Sequence, residues 1–122
     1  MNALNWFEIP AIDFDRAVRF YSDVLGTKLE AGPSMEGSQM AFFPSDEQGV
    51  GGALTKYGGF EPSQNGTLVY LNGGADLSTM LDRVEGAGGS VAMPKTDIGG
   101  GYGYMALFID SEGNKIGLHS MA

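Results

Sequence analysis

The sequence predicts an α+β fold: two tandem βαβββ modules, about residues 4–56 and 66–120, within a single domain over 1–122. Two observations carry this. The first is an internal repeat. Met40-Ala41-Phe42-Phe43, a polar turn and Gly51-Gly52-Ala53-Leu54 close the first half. Met105-Ala106-Leu107-Phe108, a polar turn and Ile116-Gly117-Leu118-His119 close the second, with Met40 matching Met105 and Gly52 matching Gly117 at an offset of 65. The second is a helical stretch behind an aspartate in each half, Asp13 to Gly26 and Asp76 to Gly89, at an offset of 63. A chain built of two such units makes a cleft between the copies, and function is to be sought there.

The elements follow in order. Trp6-Phe7-Glu8-Ile9 reads as a strand ended by Pro10. Asp13 is a good N-cap. Phe14, Ala17, Val18, Tyr21 and Val24 or Leu25 fall at helical spacing, and Gly26 is a natural stop. Short strands are expected at about 28–31, 39–44 and 51–56, and Gly58-Gly59, Pro62 and Asn65-Gly66 mark an inter-module linker. Thr67 to Leu71 is rich in strand formers. A helix is expected over 76–87, carrying Leu77, Met80, Leu81, Val84 and Ala87. Ser90 to Met93 reads as a strand ended by Pro94, and Met105–Ile109 with Lys115–His119 as a hairpin around Asp110-Ser111-Glu112-Gly113-Asn114. The acidic stretches Asp46-Glu47 and Asp110-Ser111-Glu112 read as solvated turns.

Composition narrows the function. Hydrophobic residues make up 43% of the chain, enough for an ordinary core. A net charge of −8 repels phosphate backbones and anionic membranes, so neither nucleic acid nor a membrane is an expected partner. The chain has no cysteine, which excludes disulfides, thiolate ligands and a cysteine nucleophile and fits a cytoplasmic protein. No segment approaches the roughly 20 apolar residues that span a bilayer. Residues 1–6 do not read as a signal peptide. Gly99-Gly100-Gly101-Tyr102-Gly103 lacks the lysine and the following helix of a phosphate loop. It reads as a hairpin-like turn, with a flap bringing Tyr102 or Tyr104 to a ligand as the alternative. One histidine and no nucleophile elbow leave no Ser–His–Asp arrangement.

Two segments are specific. Asp13-Phe14-Asp15-Arg16-Ala17-Val18-Arg19-Phe20-Tyr21 with Val24-Leu25-Gly26, and Asp110-Ser111-Glu112-Gly113-Asn114-Lys115-Ile116-Gly117-Leu118, resemble the paired marks of the glyoxalase / bleomycin-resistance / extradiol-dioxygenase (vicinal oxygen chelate) superfamily. Trp6 to Pro10 with Lys95 to Gly99 further resemble a bacterial subgroup related to lactoylglutathione lyase. The resemblance covers nearly the whole chain. It implies two modules whose sheets curl around a cleft, and a homodimer. It also implies, in the enzymes, a divalent metal held by residues of the first and last strand of each module. Those positions fall on Trp6, Gly52, Leu68 and Gly117, which offer no side-chain ligand. No metal and no other cofactor are therefore expected.

Residues i and i+2 of a strand share a face. On that basis the cleft lining is expected to comprise Trp6, Glu8, Leu54, Leu68, Tyr70 and His119, a pocket for a small organic molecule. Two functions follow. One is a metal-independent small-molecule-binding protein. The other is a glyoxalase-type lyase or isomerase, with a relocated metal or with Glu8 and His119 as acid–base pair. A ligand-free partner-binding module is a third reading, favoured by a closed apolar cleft.

Overall fold

The computed structural model describes residues 1–33 and 37–122. Its elements are β1 (Trp6–Pro10), α1 (Phe14–Leu25), β2 (Glu30–Ala31), β3 (Ser38–Phe42), β4 (Gly51–Tyr57), β5 (Tyr70–Asn72), α2 (Ser78–Leu81), α3 (Val84–Ala87), β6 (Ser90–Asp97), β7 (Tyr104–Ile109) and β8 (Lys115–Ser120). They form two four-stranded sheets, ordered β1-β4-β3-β2 and β5-β8-β7-β6. In each sheet the first strand runs parallel to the last, and the other pairs are antiparallel. The expected module order thus holds in both halves.

Helix α1 forms where its spacing predicts. The Asp13 carboxylate accepts from the Arg16 N–H, and Gly26, at φ 75°, closes the far end with its N–H on the Ser22 carbonyl. Ala17, Phe20, Tyr21 and Val24 make its buried stripe. The second helix differs from expectation, breaking into α2 and α3. Ser78-Thr79 at one end and Gly86, Gly88 and Gly89 at the other are weak helix formers. At the break the Arg83 N–H bonds the Met80 carbonyl, and its guanidinium reaches the Val24 carbonyl at 3.2 Å. Strand β6 also runs past Pro94. It is an edge strand with register shifts between Val91 and Thr96, where a missing N–H costs no ladder bond.

One apolar core draws on both modules. Ile9, Leu54 and Phe43 of the first share it with Leu71, Phe108 and Leu118 of the second. Tyr21 of α1 packs its ring at 5.1 Å from Phe43 and 6.4 Å from Phe108, so one helix bridges the inner faces of both sheets. The sheets do not join into a single curled sheet; each remains a separate four-stranded layer.

The pairing register corrects the internal repeat by one residue. Ala41 lies opposite Leu54, and Ala106 lies opposite Leu118. Leu54 is therefore the counterpart of Leu118, Ala53 of Gly117 and Thr55 of His119. The match of Gly52 with Gly117 is one position off because the second polar turn is one residue shorter. In a strand such a slip exchanges the faces.

The turn between β7 and β8 is not solvated as expected. Asp110, Glu112 and Asn114 are all buried. Asp110 Oδ2 accepts from the Tyr21 hydroxyl at 2.6 Å and from Asn114 Nδ2 at 2.9 Å, while Oδ1 accepts from the Glu112 and Asn114 N–H groups. Asn114 Nδ2 also donates to the Pro10 carbonyl. Glu112 Oε1 accepts from the Ile12 and Asp13 N–H groups, at 2.8 and 2.6 Å, and Oε2 from Arg16 Nε at 2.8 Å. These groups lie at the start of α1, where unpaired N–H donors and the helix dipole favour a carboxylate. The turn thus pins the second module to the first. Its counterpart, Asp46-Glu47, is exposed.

Candidate functional site

The face of each sheet turned away from the core carries the candidate site residues. In the first module these are Trp6 and Glu8 of β1, Ala53 and Thr55 of β4, and Met40 and Phe42 of β3. In the second they are Tyr70 and Asn72 of β5, Gly117 and His119 of β8, and Met105 of β7. The register fixes both sets, since Glu8 pairs with Ala53 as Tyr70 pairs with Gly117.

The largest cavity described, about 800 Å³, lies on the second face. Tyr70, Asn72, Ile98, Met105, His119 and Met121 are among its lining residues, and among the described residues no Lys, Arg, Asp or Glu side chain lines it. Tyr70 is 48% exposed, leaving its ring available to a ligand. His119 Nε2 lies 2.7 Å from the Tyr102 carbonyl. A carbonyl only accepts, so Nε2 is the donor of this contact, and the Nε2–H tautomer has Nδ1 as its acceptor. Asn72 Oδ1 accepts from the Gly74 N–H at 2.9 Å, leaving its two amide N–H groups without a bond inside this turn.

The first face presents a different surface. The Trp6 ring stands edge-on to Phe42 at 6.0 Å, and its indole N–H donates to Glu8 Oε2 at 3.2 Å. Trp6 lines a hollow of about 530 Å³ with Phe42 and Gly51, and Glu8 lines another of about 390 Å³ reaching Ile116 and Asn114. Thr55, the counterpart of His119, is 2% exposed, and its hydroxyl has no hydrogen-bond partner among the described residues.

Set against the expected lining, Tyr70 and His119 share a cavity, and Trp6 and Glu8 share another. The cavity holding His119 is not the one holding Glu8, so within one chain the two do not form an acid–base pair. Leu54 is not a lining residue. It is fully buried opposite Ile9 and Ala41, because the register slip puts it on the core face. Leu68 precedes β5 and lines an apolar hollow of about 440 Å³ with Leu4, Phe7 and Met80; Tyr70 and Asn72 line this hollow as well as the larger cavity. Tyr104 packs against the core, with Lys95 over its ring at 4.6 Å. Tyr102 does not line the cavity; its carbonyl meets His119 Nε2, and its ring is 71% exposed. The glycine loop is the hairpin turn of β6 and β7, with φ of 89°, 65°, 79° and 91° at Gly99, Gly100, Gly101 and Gly103. Asn72 and Met105 escaped sequence reasoning, although both sit two residues or one strand from Tyr70 and His119.

The residues at the expected metal positions do not fit a divalent ion. With the register corrected they are Trp6, Ala53, Leu68 and Gly117. A Cβ on Gly117 would lie within 2.4 Å of Tyr70 Cδ1, so the Tyr70 ring occupies the place a ligating side chain would take. Among the described residues no three His, Asp or Glu side chains gather as a metal would require.

Known proteins share this fold. The family model described as Glyoxalase/Bleomycin resistance protein/Dioxygenase superfamily matches residues 3–118. A glyoxylase-like domain-containing protein from Didymella fabae is 31% identical over 115 residues, covering 91% of this chain and 88% of its own. Among solved structures, a mutant glyoxalase I from Zea mays superposes with a TM-score of 0.74 at 21% identity over 97% of this chain, which spans only 46% of the maize protein. A glyoxalase/bleomycin resistance protein from Albidiferax ferrireducens gives 0.65 at 17% identity, over 98% of both chains. The fosfomycin resistance protein FosX from Listeria monocytogenes gives 0.66 at 14%, over 98% of this chain and 91% of that one. At these identities the structural likenesses show the fold.

Proposed function

Because this chain belongs to the Glyoxalase/Bleomycin resistance protein/Dioxygenase superfamily, we propose that it is a metal-independent member that binds a small organic molecule on the outer face of its second sheet. The observation that carries this reading is the Tyr70 ring lying over Gly117. An aromatic surface fills the space of a metal-ligating carboxylate, beside a cavity of about 800 Å³ that is mostly apolar. That volume lies within the range of small-molecule sites. The reading includes a homodimer. Supporting it are the outward faces of the two sheets, which carry Trp6, at 44% exposure, and Tyr70, at 48%. A second copy laid on these faces closes the open cavity.

The test is direct. Elemental analysis of tag-free protein should find well below one equivalent of zinc, nickel or iron. A chelator should leave the melting temperature unchanged. A saturating ligand of this face should raise stability by about 2.7 kcal/mol at a hundredfold excess over Kd. Sedimentation should give about twice the 12.9 kDa chain mass. One equivalent of metal, lost on Glu8→Ala or His119→Ala together with a catalytic activity, overturns the metal-independent reading in favour of a lyase or isomerase.

A further inference from the structure

The polar groups of the second-sheet cavity are arranged for one kind of ligand edge. Asn72 and His119 are cross-strand partners on β5 and β8. Adjacent strands lie about 4.8 Å apart. The hydrogen bond from Gly74 N–H identifies the Asn72 oxygen, so the amide nitrogen is the end left to donate. The Tyr102 carbonyl fixes the proton of His119 on Nε2, so Nδ1 is the end left to accept. Each side chain is held by a backbone group, and neither needs to reorganise to meet a ligand. The pair presents one donor and one acceptor on a wall that also includes Tyr70, Ile98, Met105 and Ser120, whose hydroxyl is already bonded to the Leu77 N–H and the Ala122 carbonyl.

We infer that this cavity recognises a neutral cis-amide edge, a primary carboxamide or a lactam, attached to an apolar or aromatic body. The ligand carbonyl accepts from Asn72 Nδ2–H, and the ligand N–H on the same edge donates to His119 Nδ1. The apolar body lies on the Tyr70 ring and Met105. A carboxylate of the same shape offers no N–H to His119 and finds no Lys or Arg side chain among the described lining residues. The chain as a whole, at net charge −8, repels it further. This inference rests on the proposed binding role of the cavity and adds the chemistry of what enters it.

Four probes separate the two claims: benzamide, N,N-dimethylbenzamide, benzoate and toluene, titrated into ¹⁵N-labelled protein and followed by amide and side-chain NMR shifts. Benzamide should move the Asn72 side-chain signals and the Tyr70, Met105 and His119 backbone signals saturably. N,N-dimethylbenzamide and benzoate should bind at least about tenfold more weakly, because a site built for a hydrogen bond rejects an analogue that lacks it. Asn72→Asp keeps an acceptor for the Gly74 N–H but exchanges the donor for a charge. It should lose benzamide about tenfold without a change in melting temperature. Equal binding of benzamide and N,N-dimethylbenzamide, unaffected by Asn72→Asp, overturns the amide-edge inference and leaves the cavity a binding site. Absence of any shift at cavity residues with all four probes, up to their solubility, overturns the binding role itself.

Discussion

Asp110→Ala is expected to cost about 4 kcal/mol of folding stability, the largest effect of any exchange outside the apolar core. Its carboxylate accepts from four donors: the Tyr21 hydroxyl, the Glu112 and Asn114 N–H groups and Asn114 Nδ2. Alanine takes the acceptor from four hydrogen bonds at a buried position, where only Asn114 Nδ2 keeps a second partner, the Pro10 carbonyl. The Tyr21 hydroxyl is fully buried, and burial first, then the Asp110 charge, pushes its pKa well above the ordinary 10. The hydroxyl therefore stays a donor across the physiological range. Tyr21→Phe removes one bond and leaves Asp110 three donors, so it should cost only about 1–2 kcal/mol. Urea unfolding of the two single variants and the double variant gives the coupling. An Asp110→Ala protein within about 1 kcal/mol of the parent would show that the turn is not what joins the modules.

This network bears on what the sequence discloses. Asp13 to Gly26 and Asp110 to Leu118 are legible as two separate motifs, and the module order follows from their repetition. Their contact is not legible in either alone. Arg16 and Glu112 lie 96 residues apart, and an acidic turn of the form Asp-Ser-Glu-Gly-Asn looks like any solvated hairpin. The clue was comparative: Asp46-Glu47, in the matching turn, lacks the asparagine that ties Asp110 to Pro10. The candidate site shows the same limit. Tyr70 and His119 could be placed on one face because the period of a strand is two. Leu54 could not, because its face depended on equating two turns of unequal length, and a one-residue error there reverses every side chain. Likewise Glu8 and His119 fall on corresponding faces of different sheets. Correspondence under a repeat is not proximity, and only the packing of α1 against both sheets decides which faces meet.

The second large effect is expected at Glu112, and it carries a pH signature. The Glu112 side chain is fully buried while that of Arg16 is 47% exposed. Burial alone would raise the carboxyl pKa. The bonds from Arg16, the Asp13 N–H, Ser111 and the Ile12 N–H outweigh it, and the net shift is downward from 4.5. A depressed folded-state pKa means that the unfolded chain binds the proton more readily. The stabilisation is therefore present above the ordinary glutamate value and is lost as pH falls through the folded one. Glu112→Gln keeps an oxygen for the Ile12 and Asp13 N–H groups but sets an N–H₂ against the Arg16 and Ser111 donors. It should cost about 2–3 kcal/mol at pH 7. The gap between parent and variant should narrow steadily below pH 4.5, because acid protonates the parent group that the variant has already neutralised. Arg16→Ala should cost much less than Glu112→Gln, since its half-exposed guanidinium is screened by solvent. Chemical denaturation at pH 7 and at several acidic values measures all three. A gap between parent and Glu112→Gln that is constant with pH would mean that the carboxylate charge at the start of α1 contributes nothing to holding the second module against the first.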